Sequence, residues 1–319
     1  MTTYGCHSCD RTVPHVRWEG IGDLTAMILK GSDVAAALRE SVGESINRLT
    51  AQGGRLPALA TLMVGANASS EAYRKSIVRT FKRVGIAHHP IDLPEETSEP
   101  ELIDALVSLN NDETITGVLA LMPLPRHLRS ETVLEYLSPL KDVDGITPTN
   151  AGRLHMGLPS LRPSTPQGGI ELLDYYGIEL EGKEVVVVGR SNVVGRPLAS
   201  LLVQRNATVT ICHTRTVDLE QHTKRAEIIC MAAGSPRLLT ASMITPGATV
   251  IDFGVNALDN GDLVGDADFD GMLDVAGAIT PIPGGTGPVT ALVLARNTVA
   301  AGFACLTGNL DRVDVVRFS

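Results

Sequence analysis

Positive charge is in short supply. The 27 lysines and arginines are outnumbered by 36 aspartates and glutamates, for a formal charge of −9. Such a chain has no general attraction to a phosphate backbone or an anionic lipid surface, although a local basic pocket for a small anion is still compatible with it. Long apolar runs are also missing: none approaches the ~20 residues that a bilayer crossing needs, and the first 25 residues lack a basic start followed by a hydrophobic stretch. The expectation is a cytoplasmic protein acting on a small molecule, with neither nucleic acid nor membrane as partner. Cysteine is sparse, five in 319 residues. Cys212, Cys230 and Cys305 stand in apolar settings that suit buried, reduced thiols. Only Cys6 and Cys9 form a pattern; with His7 and His15 they could hold zinc, but no second ligand pair stands at a finger-like distance. No metal is assigned, and residues 1–25 read as an N-terminal extension.

What is present is ordinary globular composition, 44% apolar and 20% charged, in a chain long enough for two domains. In "DVAAALRESVGESINRL", Val34, Leu38, Val42, Ile46 and Leu49 recur near helical spacing. "LPALATLMVG" reads as a strand, "SSEAYRKSIVRTFKRVGI" as a helix, "GIAHHPIDL" as a strand, "EPELIDALVSLN" as a helix and "TGVLALMPLP" as a strand stopped by prolines. The alternation resumes with "KEVVVVG", "ATVTIC", "AEIICMAAG" and "ATVIDFG", short β-branched runs typical of buried parallel strands. The fold class is α/β, with two domains separated by a cleft: an N-terminal α/β domain and a doubly wound, Rossmann-like one. The boundary falls in the Gly-, Pro- and Thr-rich stretch at 141–168. The last helix, after "PIPGGTGP", is expected to return to the first domain, giving 26–147 plus 290–319 and 148–289.

"KEVVVVGRSNVVGRPLASLL" is a strand, a glycine turn and a helix beginning near Val194. Such a turn aims free backbone N–H groups and the positive end of a helix at an anion. Gly189 and Gly195 lack the middle glycine of G-x-G-x-x-G, so on pattern alone a plain tight turn is an equal reading. The next strand ends in "ICHTRT", about 24 residues after Gly189, where NAD-specific folds place an acid on the ribose hydroxyl. His213, Thr214 and Arg215 stand there instead. With Arg190 in the turn, two guanidinium groups could surround a 2′-phosphate, which favours NADP over NAD; solvated surface arginines are the bland alternative.

"GRSNVVGRP", "KDVDG", "LRPSTPQG" and "PIPGGTGP", in their order along the chain, resemble the methylenetetrahydrofolate dehydrogenase/cyclohydrolase family. The resemblance runs from about Met27 to about Ala301. It implies folate held mainly by the first domain and NADP by the second, usually in a homodimer, and two reactions: oxidation of 5,10-methylenetetrahydrofolate, then hydrolysis of the methenyl product. Matched by motif, Tyr73 flanks the pterin and Asp144 pairs with its amide and amino groups; these two are the catalytic candidates. Ile77, Leu121, Pro283, Gly284 and Gly285 complete the implied substrate contacts, the two glycines allowing close backbone approach. Ser164, Gly189, Arg190, Ser191, Val194, Gly195, His213, Thr214, Arg215, Gly234 and Val255 are the implied cofactor contacts. Taken locally, Asp144 also suits an Asx turn before glycine, and Tyr73 a core aromatic.

Two departures bear on mechanism. The family's helix reads Tyr-x-x-x-Lys, with the lysine central to hydrolysis; here that position is Ile77. The glutamine that partners the lysine is Leu121. Ser164 replaces a cysteine. Lys75 lies about 200° around the helix from position 77, and Arg74 stays protonated and cannot act as a base. Loss of a positioned base costs on the order of 10²–10⁴ in rate. Hydride transfer asks for alignment rather than for a base. The expectation is therefore an NADP-dependent dehydrogenase with weak or absent cyclohydrolase activity. A dehydrogenase for another reduced-pterin carrier and a non-catalytic folate or nucleotide sensor are the alternatives.

Overall fold

The computed structural model describes residues 25–316; the Cys6, His7, Cys9 and His15 cluster lies outside them. In chain order the strands are β1 (Met27–Ile28), β2 (Ala58–Val64), β3 (Ala87–Leu93), β4 (Gly117–Ala120), β5 (Glu184–Val188), β6 (Thr208–Cys212), β7 (Ile228–Met231), β8 (Thr249–Asp252), β9 (Asn256–Ala257), β10 (Leu263–Val264) and β11 (Ala278–Ile279). The helices are α1 (Gly31–Ala51), α2 (Ala68–Val84), α3 (Glu99–Asn111), α4 (Ser130–Tyr136), α5 (Pro148–His155), α6 (Ser164–Tyr175), α7 (Gly195–Val203), α8 (Leu219–Thr223), α9 (Phe269–Met272) and α10 (Thr286–Thr307).

The first sheet is parallel, ordered β3-β2-β4. Every residue of β2 is buried because both faces are covered. Leu59 and Met63 point into a core shared with α1, α2 and α10, and Ala58, Ala60, Leu62 and Val64 point the other way, towards α3 and α4. β3 alternates between exposed and half-buried residues and contains Pro90, as suits an edge strand.

The second sheet is six-stranded and parallel, in the order β6-β5-β7-β8-β11-β1. β5 repeats the two-faced logic. Val185 and Val187 meet α6, α7 and α10, while Val186 and Val188 face the layer around Leu239, Met272 and Ala276. Since β6 lies on one side of β5 and β7 on the other, the chain changes direction at the carboxyl end of β5, where open α/β sheets bind ligands.

Two features depart from the sequence-based expectation. Met27–Ile28, at the start of the first half, pair with β11 and close the edge of the second sheet. And α10 is a 22-residue helix apolar and long enough to cross a bilayer by composition, with mean hydropathy 1.6 over its most apolar stretch; 89% of that stretch is buried inside the protein. Arg296 and Asn297 interrupt its apolar run, which is why it does not stand out in the sequence. The helix packs on α1 and α2 and equally on α6, so it spans the junction between the two halves. Among the thiols, Cys212 and Cys230 are buried as expected, and burial pushes the Cys230 thiol up to about 12. Cys305 is exposed at the end of α10, with its Sγ near the Thr116 and Leu140 carbonyls.

Candidate active site

Three elements bring Tyr73, Asp144 and Ser164 together. α2 starts at Asn67, whose Oδ1 accepts from the Ser70 N–H (3.0 Å), and stops at Gly85 with φ 79°. Tyr73 stands one turn into this helix and is 37% exposed, whereas Ile77 and Phe81, further along the same face, are fully buried. Asp144 lies in the loop between α4 and α5. That loop is pinned by Asp142, which is fully buried and accepts from the Ile146 and Thr147 N–H groups, the Thr147 hydroxyl and the Asn150 amide. Ser164 opens α6, and its hydroxyl donates to Asp144 Oδ1 (3.1 Å).

The electrostatics follow from this crowding. Burial pushes the Asp144 carboxyl up to about 6, the Asp142 carboxylate adds to the effect, and the bonds from Ser164 oppose it. Burial raises the Tyr73 phenol, with the negative charge of Asp144 next in importance and the bond to Ser164 acting the other way. Asn297 ties the site together: its Nδ2 donates to the carbonyls of Val143 and Arg162, both at 2.7 Å, clamping the loops that bear Asp144 and Ser164 onto α10. Sequence reasoning passed over Asn297 and Asp142. Their signals were a lone amide in an apolar helix and the first aspartate of "KDVDG".

Ile77 and Leu121 do not line an open wall. They are 0% and 4% exposed and belong to one buried cluster with Met63, Phe81, Val143 and Leu161. Two aliphatic side chains at these positions find their best energy in that core, so they form a floor beneath Tyr73 rather than a ligand-contacting surface. The neighbouring cations of α2 do not take their place. Arg74 is engaged by Glu71 and Asp92, and Lys75 is turned outward near Glu71.

Pro283, Gly284 and Gly285 form the turn between β11 and α10. Gly284 has φ 113°, a backbone that favours glycine. Its carbonyl accepts from the Gly31 N–H (2.9 Å). A Cβ on Gly285 would lie 2.7 Å from the Pro281 carbonyl oxygen. At Gly285, therefore, the missing side chain makes room for the protein's own backbone.

The turn after β5 is equally constrained. Gly189 has φ 142°, and its N–H donates to the Cys212 carbonyl, which sets the ends of β5 and β6 side by side. A Cβ on Gly195 would sit 2.1 Å from the Gly189 carbonyl oxygen. The Ser191 hydroxyl accepts from the N–H groups of Val194 (3.1 Å) and Gly195 (3.4 Å), and its carbonyl accepts from Arg196. The first N–H groups of α7 are thus already capped, contrary to the expectation that they are free. Arg190, Thr214 and Arg215 are exposed at the adjoining strand ends, and neither guanidinium has a hydrogen bond or ion pair among the described residues. His213 fixes the second turn: its N–H donates to Thr216 Oγ1 and its Nδ1 accepts from the Arg215 N–H, which leaves Nε2 as the protonated nitrogen. Gly234 (φ 63°) follows β7, and its N–H, with those of Ala233 and Ser235, converges on the buried Asp266 carboxylate. Val255 is exposed after β8. A cofactor bearing a 2′-phosphate fits this edge, since among the described residues two unengaged guanidiniums, Arg190 and Arg215, stand just after β5 and β6.

A cavity of about 780 Å³ opens beside Asp144. It runs between Met122–Leu128 on one side and Asn192, Val193 and Arg196 on the other, so one cleft joins the Asp144 loop to the glycine turn.

Residues 29–144 match the tetrahydrofolate dehydrogenase/cyclohydrolase catalytic domain and residues 163–304 its NAD(P)-binding domain. The bifunctional protein FolD of Chloroflexus aurantiacus is 49% identical over 87% of this chain and 98% of its own length. The solved structure of FolD from Campylobacter jejuni, a methylenetetrahydrofolate dehydrogenase/cyclohydrolase, superposes with a TM-score of 0.84 at 39% identity, covering 87% of this chain and 98% of that one. FolD of Trypanosoma brucei, solved with NADP and an inhibitor, gives 0.82 at 33% identity over 87% and 97%. The chain belongs to the tetrahydrofolate dehydrogenase/cyclohydrolase family.

Proposed function

We propose that this protein oxidises 5,10-methylenetetrahydrofolate to 5,10-methenyltetrahydrofolate with NADP and hydrolyses the product weakly or not at all. The observation that supports the second half is the burial of Ile77 and Leu121 in one apolar cluster, at the positions where the family resemblance implies the lysine and glutamine of the hydrolytic step. Bound NADP supplies the hydride acceptor. The substrate's own nitrogen lone pair drives the hydride out, so the chain's work is alignment. The Asp144 carboxylate, aimed at two N–H donors of the pterin, makes a charge-assisted bidentate contact that fixes ring orientation. Tyr73 covers the ring, and Ser164 holds Asp144 in place.

On the cofactor side, Arg190 and Arg215 would take the 2′-phosphate, with Gly189, Ser191, Val194, Gly195, His213, Thr214, Gly234 and Val255 shaping the edge. We assign folate contacts to 26–147 with 290–319, and cofactor contacts to 148–289. Pro283, Gly284 and Gly285 are kept as shaping the mouth of the site through backbone, and Ile77 and Leu121 as its floor. The same reading makes the protein a cytoplasmic homodimer.

Protein mixed with methylenetetrahydrofolate and NADP should show equal rises of NADPH and methenyl product. In an Arg190→Ala, Arg215→Ala double variant, the loss of two charge-assisted contacts should raise KM for NADP about ten- to hundredfold while KM for NAD stays nearly unchanged. Absence of turnover with either cofactor overturns the reading.

A further inference from the structure

Away from the cleft, α6, α7 and α10 enclose a second cavity, of about 230 Å³, lined by polar groups that the proposed reaction does not use. Its carboxylates are already engaged. Glu171 accepts from Arg296 Nη2 (2.6 Å) and Gln167 Nε2 (2.9 Å), and Asp174 is gripped by both ends of the Arg205 guanidinium (2.8 and 2.6 Å). Arg162 has no such counterpart: its Nη1 makes a 3.4 Å contact to Gln167 Oε1, and its Nε is buried without a partner. Ser160, 5% exposed, also has a hydroxyl in this lining with no partner. Among the described side chains of the lining, three guanidiniums face two carboxylates. Water can satisfy a hydroxyl, but the half-buried Arg162 guanidinium has no carboxylate partner among the described residues.

We propose that this cavity binds a small oxyanion, phosphate or a small carboxylate, held by the Arg162 guanidinium and the Ser160 hydroxyl. An oxyanion offers several acceptor lone pairs to donors that have none, and a planar guanidinium matches its geometry. Occupancy would also bear on the cleft, because the Arg162 carbonyl is one of the two groups that Asn297 clamps, and Ser164 follows two residues later.

The test is thermal unfolding in phosphate or acetate against chloride at equal ionic strength. It is run on the Arg190→Ala, Arg215→Ala background, so that binding at the glycine turn does not contribute. A ligand near a hundred times its Kd should give a saturable rise of about 2–4 °C per kcal/mol of linkage stabilisation. Ser160→Ala and Arg162→Lys, the latter keeping the charge but losing the Nε donor, should each weaken the apparent Kd about tenfold. Saturation by phosphate or by acetate identifies which source the site takes. No rise beyond chloride with either anion overturns the proposal, as do identical titrations in the parent and both variants; Ser160→Ala decides alone if Arg162→Lys does not fold.

Discussion

Asp144 works under opposing influences, and its pH behaviour follows from them. Burial and the Asp142 carboxylate raise it from an ordinary 3.8 to about 6. The folded protein therefore holds this proton more tightly than the unfolded chain between those values, and the group's contribution to stability declines as pH rises through that window. Binding runs the other way, since only the ionised carboxylate makes the charge-assisted contact. The kcat/KM for folate should fall as pH drops below about 6, and Asp144→Asn should abolish that limb while raising KM; a limb that persists in Asp144→Asn contradicts the assignment. Ile77 poses a separate question of energy. Ile77→Lys would put an ammonium into a fully buried site and should cost on the order of 3 kcal/mol, measured by denaturant unfolding. Adding Leu121→Gln supplies an amide partner, should recover part of that loss and should restore some hydrolysis of the methenyl compound. A folded double variant with no gain counts against the mechanism.

At the level of elements, the βαβ alternation was legible because buried parallel strands and amphipathic helices each write a distinct period into the chain: β2 is buried along its whole length, β5 is a run of four buried valines after Glu184, and α1 keeps Val34, Leu38, Val42, Ile46 and Leu49 on one side. β1 and β11 were not legible, as a two-residue strand has no period and exists only through its partner. The helix spacing put Tyr73 and Ile77 on one face, but spacing could not tell that the core closes over Ile77 and stops short of Tyr73. Nor could the glycine motif reveal that Ser191 caps α7. Asn297 acts at this scale, as a bracket between α10 and two loops. Removing both of its bonds in Asn297→Ala leaves two carbonyls unpaired and should cost about 2 kcal/mol of stability. It should also raise KM for folate more than it lowers kcat, because the loops would lose registration while the reacting groups remain. Unchanged KM would reduce Asn297 to a purely structural role.

For the molecule as a whole, the two sheets share one long helix and exchange one strand, and the cleft between them places the Asp144 loop opposite the glycine turn. The order of motifs made the family and its two halves recognisable from the sequence. The cavity among α6, α7 and α10 was invisible there, because its lining comes from segments far apart in the chain that meet only after folding. The central claim is that this cleft aligns substrate and cofactor for hydride transfer without the lysine and glutamine that the family resemblance implies for activating water. It is tested most directly by supplying purified 5,10-methenyltetrahydrofolate and following its decay at neutral pH against a buffer control, with the oxidation rate measured on the same preparation. The account predicts NADP-dependent oxidation together with methenyl decay at or near the buffer rate; decay accelerated to match the oxidation rate would contradict it.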